Sequence, residues 1–191
     1  LGLVGSEMCI RDSIYDVEIS DLDLDDNYEI IVFDNASSDA SIEIVRREFP
    51  QVKLIVNDQN LGFAKGMNVG IRNVKGEFIA LFNNDAVANP EWLSELVDYM
   101  MRNPVVGLVG GPVYYKNPQN ILWALGGKID MLTGIGWHVG QGKRLSECAL
   151  KLADDIDYVP GTAFLVRREV LEKIGLLDEN YFLFSDDVDL C

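Results

Sequence analysis

A chain of 191 residues with 48% hydrophobic and 25% charged side chains has the balance of an ordinary globular protein and is long enough for one domain with an adequate core. Its formal net charge of −15 excludes a binder that tracks nucleic-acid phosphates, which needs a basic face, although a nucleotide can still bind where a metal ion or a few local cations offset the charge. Three cysteines, Cys9, Cys148 and Cys191, without C-x-x-C spacing give no support to a disulfide framework or a zinc site, and no apolar run approaches the ~18 residues of a membrane span.

In chain order, residues 1–13 (LGLVGSEMCIRDS) have neither helical nor strand periodicity. MCIRDS reads like the in-frame translation of a sequencing-library transposon adapter, so the segment is taken as a cloning or assembly scar outside the fold. Seven acidic residues lie between Asp16 and Glu29, a run that suits a solvated surface segment. YEIIVFD (28–34) reads as a buried strand, and NASSDASIEIVRREFP as a capped helix with Ile42, Val45 and Phe49 on one face and Pro50 as its stop. VKLIVN is a second strand. GFAKGMNVGIRNVKG is a helix with Phe63, Met67, Ile71 and Val74 on its apolar face, where Gly66 and Gly70 leave a side bare for close packing. EFIALFNNDA is a third strand, NPEWLSELVDYMMRNP a helix opened by Asn89 and Pro90, and VVGLVGGPVYY a fourth strand. The alternation predicts a mainly parallel α/β sheet with helices on both faces and ligands at the carboxyl ends of its strands. From about 117 to 157 the pattern dissolves into a glycine-rich loop or irregular hairpin; a strand, a Pro-Gly turn, a further strand and a short helix ended by Gly175 follow.

Three short stretches can carry chemistry. Asp34 closes the first strand and is followed by small polar residues opening a helix, so it can accept hydrogen bonds from a base or ribose; the same residues equally suit a plain helix cap. Asn83, Asn84 and Asp85 end the third strand, where an aspartate beside a carboxamide can hold Mg²⁺ or Mn²⁺ while a diphosphate supplies the remaining oxygens; the alternative is a polar turn. Asp186 and Asp187 are adjacent acids in FLFSDDVDL. Two carboxylates at ~4 Å repel by roughly 4 kcal/mol at an effective dielectric of 20, so the pair needs solvent, a cation or a raised pKa, the last being what a general base uses.

Taken together, IIVFDNASSDAS, NLGFAKGMNVGI, GEFIALFNNDA, YVPGTAFLVRREVLEKIGLLDENYF and DDVDL resemble the inverting nucleotide-sugar glycosyltransferases of family 2, which have the Rossmann-like GT-A fold, and within them the rhamnosyltransferase-like bacterial branch. The resemblance covers about Tyr28 to Leu190, with the motifs in the family's order. It implies a partial GT-A domain over 14–191, with a nucleotide-binding half near 28–115 and an acceptor and catalytic half near 116–191. By the same resemblance, Asp34, Asn35, Ser37, Asn60, Gly62, Lys65 and Asn84 line the nucleotide pocket. Asp85, with Asn83, holds Mg²⁺ or Mn²⁺. Gly161 and Thr162 edge the acceptor side, and Asp187, beside Asp186, is the general base. The family's first strand is absent, Asn83 stands where stricter metal motifs have aspartate, and Asp186 stands where glutamate is usual. The chain is accordingly expected to be truncated at both ends and inactive as it stands.

The implied reaction moves a sugar from a UDP- or dTDP-sugar to a hydroxyl of a glycan or lipid-linked acceptor, with inversion, in bacterial surface polysaccharide synthesis. It places the protein in the cytoplasm, at the inner face of the membrane where further segments attach it, with no nucleic-acid partner. A nucleotidyltransferase of similar fold and a sugar- or nucleotide-binding pseudoenzyme are the rival readings. His138, Trp123 and Trp137 are weighed as acceptor contacts against loop packing.

Overall fold

The computed structural model describes residues 28–148, 156–183 and 185–191; the supposed scar at 1–13 and most of the acidic run lie outside them. The β-branched run ahead of Asp34 forms β1 (Ile31–Asp34), buried on both faces, and pairs in parallel with β2 (Lys53–Val56). Between them α1 (Ser41–Glu48) returns with Val45 buried against Val32 and Val52. Its cap sits one residue further out than a standard N-cap: the Asp39 Oδ1 accepts the Ser41 N–H at 2.9 Å.

The glycine-bearing helix α2 (Phe63–Asn73) buries Met67 and Ile71, with Val74 just beyond it. The close approach that Gly66 allows is to the ring of Phe33 in β1: a Cβ on Gly66 would sit 2.6 Å from Phe33 Cε1. β3 (Phe78–Phe82) follows, buried at every position, then α3 (Trp92–Arg102), whose Leu93, Leu96 and Met100 pack on Phe78, Ala80 and Leu165. The single fourth strand expected over VVGLVGGPVYY is two strands, β4 (Leu108–Gly110) and β5 (Val113–Tyr114), broken at Gly111-Pro112, where proline has no N–H for a ladder.

The glycine-rich stretch is an irregular set of strands, β6 (Leu122–Ala124), β7 (Gly127–Asp130) and β8 (Ile135–His138), with one turn of 3₁₀ helix at Leu145–Glu147. β7 and β8 form a hairpin whose turn is held by Asp130, its Oδ1 accepting the Leu132 N–H at 2.8 Å. Next comes β9 (Ala163–Arg167), then α4 (Arg168–Ile174), ended by Gly175 at φ 101°, and the short α5 (Asp186–Leu190).

The architecture is α/β with parallel and antiparallel strands, and it departs from the mainly parallel sheet expected: β1 and β2 pair in parallel as a separate ladder, and the other ladders among the described residues are antiparallel. β3 and β4 run in the same direction but do not touch; β9 lies antiparallel between them, with Phe82 opposite Ala163 and Gly110 opposite Phe164. β9 is buried at every position, as a central strand covered on both faces must be. Ile31 and Phe33 of β1, Ile79 and Leu81 of β3, and Phe164 and Val166 of β9 share one core with Met67 and Ile71 of α2. Two arginines seal the junction of β9 and α4. Arg167 donates to the carbonyls of Met100 and Val106 at 2.6 and 2.9 Å, and Arg168 to those of Val74 and Gly76 at 2.8 Å each, so both guanidinium groups satisfy carbonyls of neighbouring helix ends and loops. Among the described residues no helix is long and apolar enough to cross a membrane.

Gly66→Ala should cost ~1–3 kcal/mol in chemical denaturation, because the new methyl meets a ring that is itself fully buried. Adding Phe33→Leu should recover part of the loss, and simple additivity of the two changes would place the contact elsewhere.

Candidate active site

The β3–β9 register decides which residues meet at one end of the sheet. Because Phe82 faces Ala163, the residues just past β3 and just before β9 lie side by side, and the Asn83 N–H donates to the Thr162 carbonyl at 2.9 Å. Asn83, Asp85, Gly161 and Thr162 thus line a common cleft of about 1540 Å³. Asp85 is exposed.

The acids of α5 enter the same cleft from the other side. Ser185 takes a left-handed conformation (φ 66°) that turns the chain into the helix. The Asp187 Oδ2 accepts the Gly161 N–H at 2.8 Å and its Oδ1 the Val188 N–H at 2.9 Å, which anchors the carboxylate to the turn before β9. Asp186 is only 4% exposed. Burial pushes its carboxyl up to about 6, the charge of Asp187 adds to that, and a backbone hydrogen bond at Asp186 itself pulls the other way. Two acids of one type thus sit in different surroundings one residue apart.

An aromatic wall faces them. The rings of Trp123 and His138 lie 4.1 Å apart, and that of Tyr158 lies 6.3 Å beyond His138. Tyr158 can pack there because Gly127 has no side chain, since a Cβ would stand 1.9 Å from the tyrosine ring. Burial holds His138 below its ordinary pKa, with the charge of Asp187 opposing, and raises the Tyr158 hydroxyl, with Asp187 adding. His138 and Trp123 line the cleft, whereas Trp137 is half-exposed and does not. Tyr158 opens the motif YVPGTAF without being marked there as a site residue; its bridge to Gly127 brings it to the wall.

Asp34, Asn35, Ser37, Asn60, Gly62, Lys65 and Asn84 do not line this cleft. Most of them form a second polar group at the end of β1. The Asn35 Nδ2 donates to Asn60 Oδ1 at 2.8 Å and to the Gly62 carbonyl at 3.2 Å, while its Oδ1 accepts the Leu61 N–H at 2.8 Å. Asp34 is fully buried; one carboxylate oxygen accepts the Ser37 N–H at 3.0 Å. Its other oxygen, the Ser37 hydroxyl and the Asn57 Nδ2 are buried with no hydrogen-bond partner among the described residues. Three orphaned polar atoms in one place are costly unless something fills them. Lys65 is exposed on the first turn of α2, where its charge is felt by Glu179.

The sequence profile of Glycosyl transferase family 2 matches residues 11–175. The chain belongs to that family. A family relative, the N-acetylglucosaminyl-diphospho-decaprenol L-rhamnosyltransferase of Mycobacterium tuberculosis, is 24% identical over 182 residues, which are 84% of this chain and 59% of the relative. Among solved structures, the mannosyltransferase PcManGT from Pyrobaculum calidifontis, in complex with GDP-Man and Mn²⁺, superposes with a TM-score of 0.65 at 20% identity over 99% of this chain and 50% of its own. Staphylococcus aureus TarS in complex with UDP gives 0.66 at 16% identity, over 99% of this chain and 53% of its own. These likenesses assign the GT-A fold. The chain spans 59% of the length of that rhamnosyltransferase and 19% of the length of another curated relative, which is 29% identical over 86% of this chain.

In this family 2 domain, no group of three or more His, Cys, Asp or Glu side chains that could hold a metal ion occurs among the described residues. The oxygen donors Asp85 and Asn83 suit a hard cation such as Mg²⁺ or Mn²⁺ only where a ligand supplies most of the remaining oxygens. The acid pair makes a prediction that needs no metal. The folded state holds the Asp186 proton to higher pH than the unfolded chain does, so the protonated form contributes stability below the ordinary carboxylate range, and that contribution is lost as pH rises through about 6. Asp186→Asn should therefore match the native chain near pH 4 and exceed it by on the order of 1 kcal/mol near pH 7, the open cleft screening the rest. Thermal unfolding across that range checks it; a variant that loses ground as pH rises would mean the charged form is the stabilised one.

Proposed function

We propose that this family 2 domain carries the donor-binding and catalytic residues of an inverting glycosyltransferase that moves a sugar from a UDP- or dTDP-sugar to a hydroxyl of a glycan or lipid-linked acceptor, in bacterial surface polysaccharide synthesis at the cytoplasmic face of the membrane. The observation that carries the reading is the convergence of Asp85, from the end of β3, and Asp187, from α5, on one cleft edged by Gly161 and Thr162. The nucleotide sugar and nucleotide held by the two solved neighbours support the donor class, and the decaprenol-linked acceptor in the relative's name supports the acceptor class.

In this reading the orphaned oxygen of Asp34 and the hydroxyl of Ser37 accept and donate hydrogen bonds to the base or ribose, with Asn35 and Asn60 framing them. Lys65 and Asn84 face the diphosphate. Mg²⁺ or Mn²⁺, held by Asp85 with the Asn83 side-chain oxygen, would offset the charge that develops on the leaving diphosphate. Asp187 takes the proton of the acceptor hydroxyl. Its two oxygens each accept one backbone N–H, which fixes the carboxylate in orientation and leaves a lone pair on each. Asp186, buried beside it and raised to about 6, is neutral only below that pH, where it spares Asp187 repulsion, and adds its own charge next to Asp187 above it. The wall of Trp123, His138 and Tyr158 excludes water on the acceptor side and offers apolar ring surface to a sugar.

In the full-length gene product, Asp187→Asn should lower sugar transfer by ~10²- to 10⁴-fold while UDP or dTDP binding in Mn²⁺, read by calorimetry, stays near its native value. Asp85→Asn should weaken that Mn²⁺-dependent binding and raise the donor KM. Near-normal turnover by Asp187→Asn would move the base to Asp186.

A further inference from the structure

The resemblance gives Gly62 to the nucleotide pocket, yet its polar groups are already engaged within the chain. Its N–H donates to Asn60 Oδ1 at 2.8 Å, and its carbonyl accepts from Asn35 Nδ2 at 3.2 Å and from the Gly66 N–H at 3.2 Å. A glycine with its donor and acceptor both bonded has little to offer a ligand. It is nevertheless demanded twice over. Its φ of 78° is one that side-chain-bearing residues rarely adopt, and a Cβ there would stand 2.6 Å from the Phe182 carbonyl oxygen and 2.7 Å from Cδ2 of the Phe182 ring. The next residue, Phe63, donates the first N–H of α2 to that same Phe182 carbonyl at 2.8 Å, so a helix-end donor that could have met an anion is bound by the chain itself.

The contact belongs to a longer seam. The segment that leads into α5 runs along α2 and is bonded to it at three levels. Buried Asn68 donates to the Leu177 carbonyl at 2.8 Å and accepts the Leu177 N–H at 3.1 Å; Arg72 and Asn68 hold Glu179 at 2.9 and 3.2 Å; Phe63 and Gly62 hold Phe182. Phe182 itself is 62% exposed, so it is kept by the bare glycine and the one backbone bond rather than by a core. Three residues later the chain turns through Ser185 into Asp186 and Asp187.

We propose that Gly62 and Phe182 are positioning residues: they register α5, and with it Asp186 and Asp187, against α2, and Gly62 takes no part in holding the nucleotide. The proposal rests on the catalytic reading above for its consequence in turnover, though not for the seam itself. The geometry makes α2 a ruler with Asn35 and Asn60 bonded at its amino end and the acid helix hung from its side, so the spacing between nucleotide pocket and base is set by this helix together with the bond from Gly161 to Asp187.

The test uses Phe182→Ala and Gly62→Ala, with Phe182→Tyr as the conservative control, in the full-length protein. Amide exchange over residues 185–190 should speed by about tenfold or more in the first two and stay native in the third. UDP affinity with Mn²⁺ should stay within about twofold, and kcat should fall by about 10- to 100-fold with the donor KM unchanged, since misplacement of the base by ~1 Å is enough for such a loss. Unchanged exchange, or a loss of UDP affinity of tenfold or more in Phe182→Ala, overturns the proposal. If Gly62→Ala does not fold, Phe182→Ala decides alone. If the native protein binds no UDP, the glycosyltransferase reading fails, while the exchange comparison still decides whether the seam positions α5.

Discussion

The pairing of Phe82 with Ala163 across β3 and β9 is the constraint from which the cleft follows. Strand side chains alternate faces, so a slip of one residue would exchange the side chains of β9 between the two cores it fills and carry Thr162 and Gly161 away from Asn83 and Asp85. The register is held by apolar side chains on both faces, with Phe164 and Val166 in the core under α2 and Leu165 in that under α3. Arg167 and Arg168 lock its far end by bonding carbonyls of the segments on either side. Once that strand is placed, Gly161 is at the rim, and its N–H is where Asp187 must come.

The site is therefore built by one sheet register and one helix, with polar groups arranged around them. At the end of β1, amide-to-amide bonds tie residues 35 and 60–62 into a rigid corner, and the polar atoms left over belong to Asp34, Ser37 and Asn57. At the end of β3 a carboxylate faces open space. On α5 Asp187 is half-buried and anchored, while Asp186 is buried and its carboxyl is pushed up to about 6. Asp34 and Asp186 both carry a desolvation cost, and in the proposed function the base or ribose relieves that of Asp34.

Much of this was legible from residue pattern. Helix-period spacing found the apolar faces of α1 and α2, with Val45, Met67 and Ile71 buried, the opening Asn89-Pro90 marked α3, and apolar runs found β1, β2 and β3. Gly175 was legible as a helix stop because its φ of 101° is one that glycine adopts freely. The position of β9 was not, because a buried apolar run says that a strand is central and nothing about which strands flank it or in which direction. The break at Gly111-Pro112 hid inside a run that otherwise reads as one strand. The sequence offers His138 and Trp123 as acceptor contacts, but their assembly with Tyr158 into one wall was not legible, because Tyr158 joins it through the bare Gly127 across the irregular segment, which leaves no period to read. The motifs named Gly62 as a site residue, but only the hydrogen bonds show that its N–H and carbonyl are already taken.

In the proposed function the polar corner at the end of β1 and the cleft beyond β3 are two parts of one donor site, although Asp34 does not line that cleft. Amide chemical-shift mapping with UDP and diamagnetic Mg²⁺ addresses this directly. With one shared site, resonances of Asp34–Ser37 and of Asn83–Ala86 should move together, with one half-saturation concentration. Movement of only one group, or movement of the two with different saturation, would contradict it.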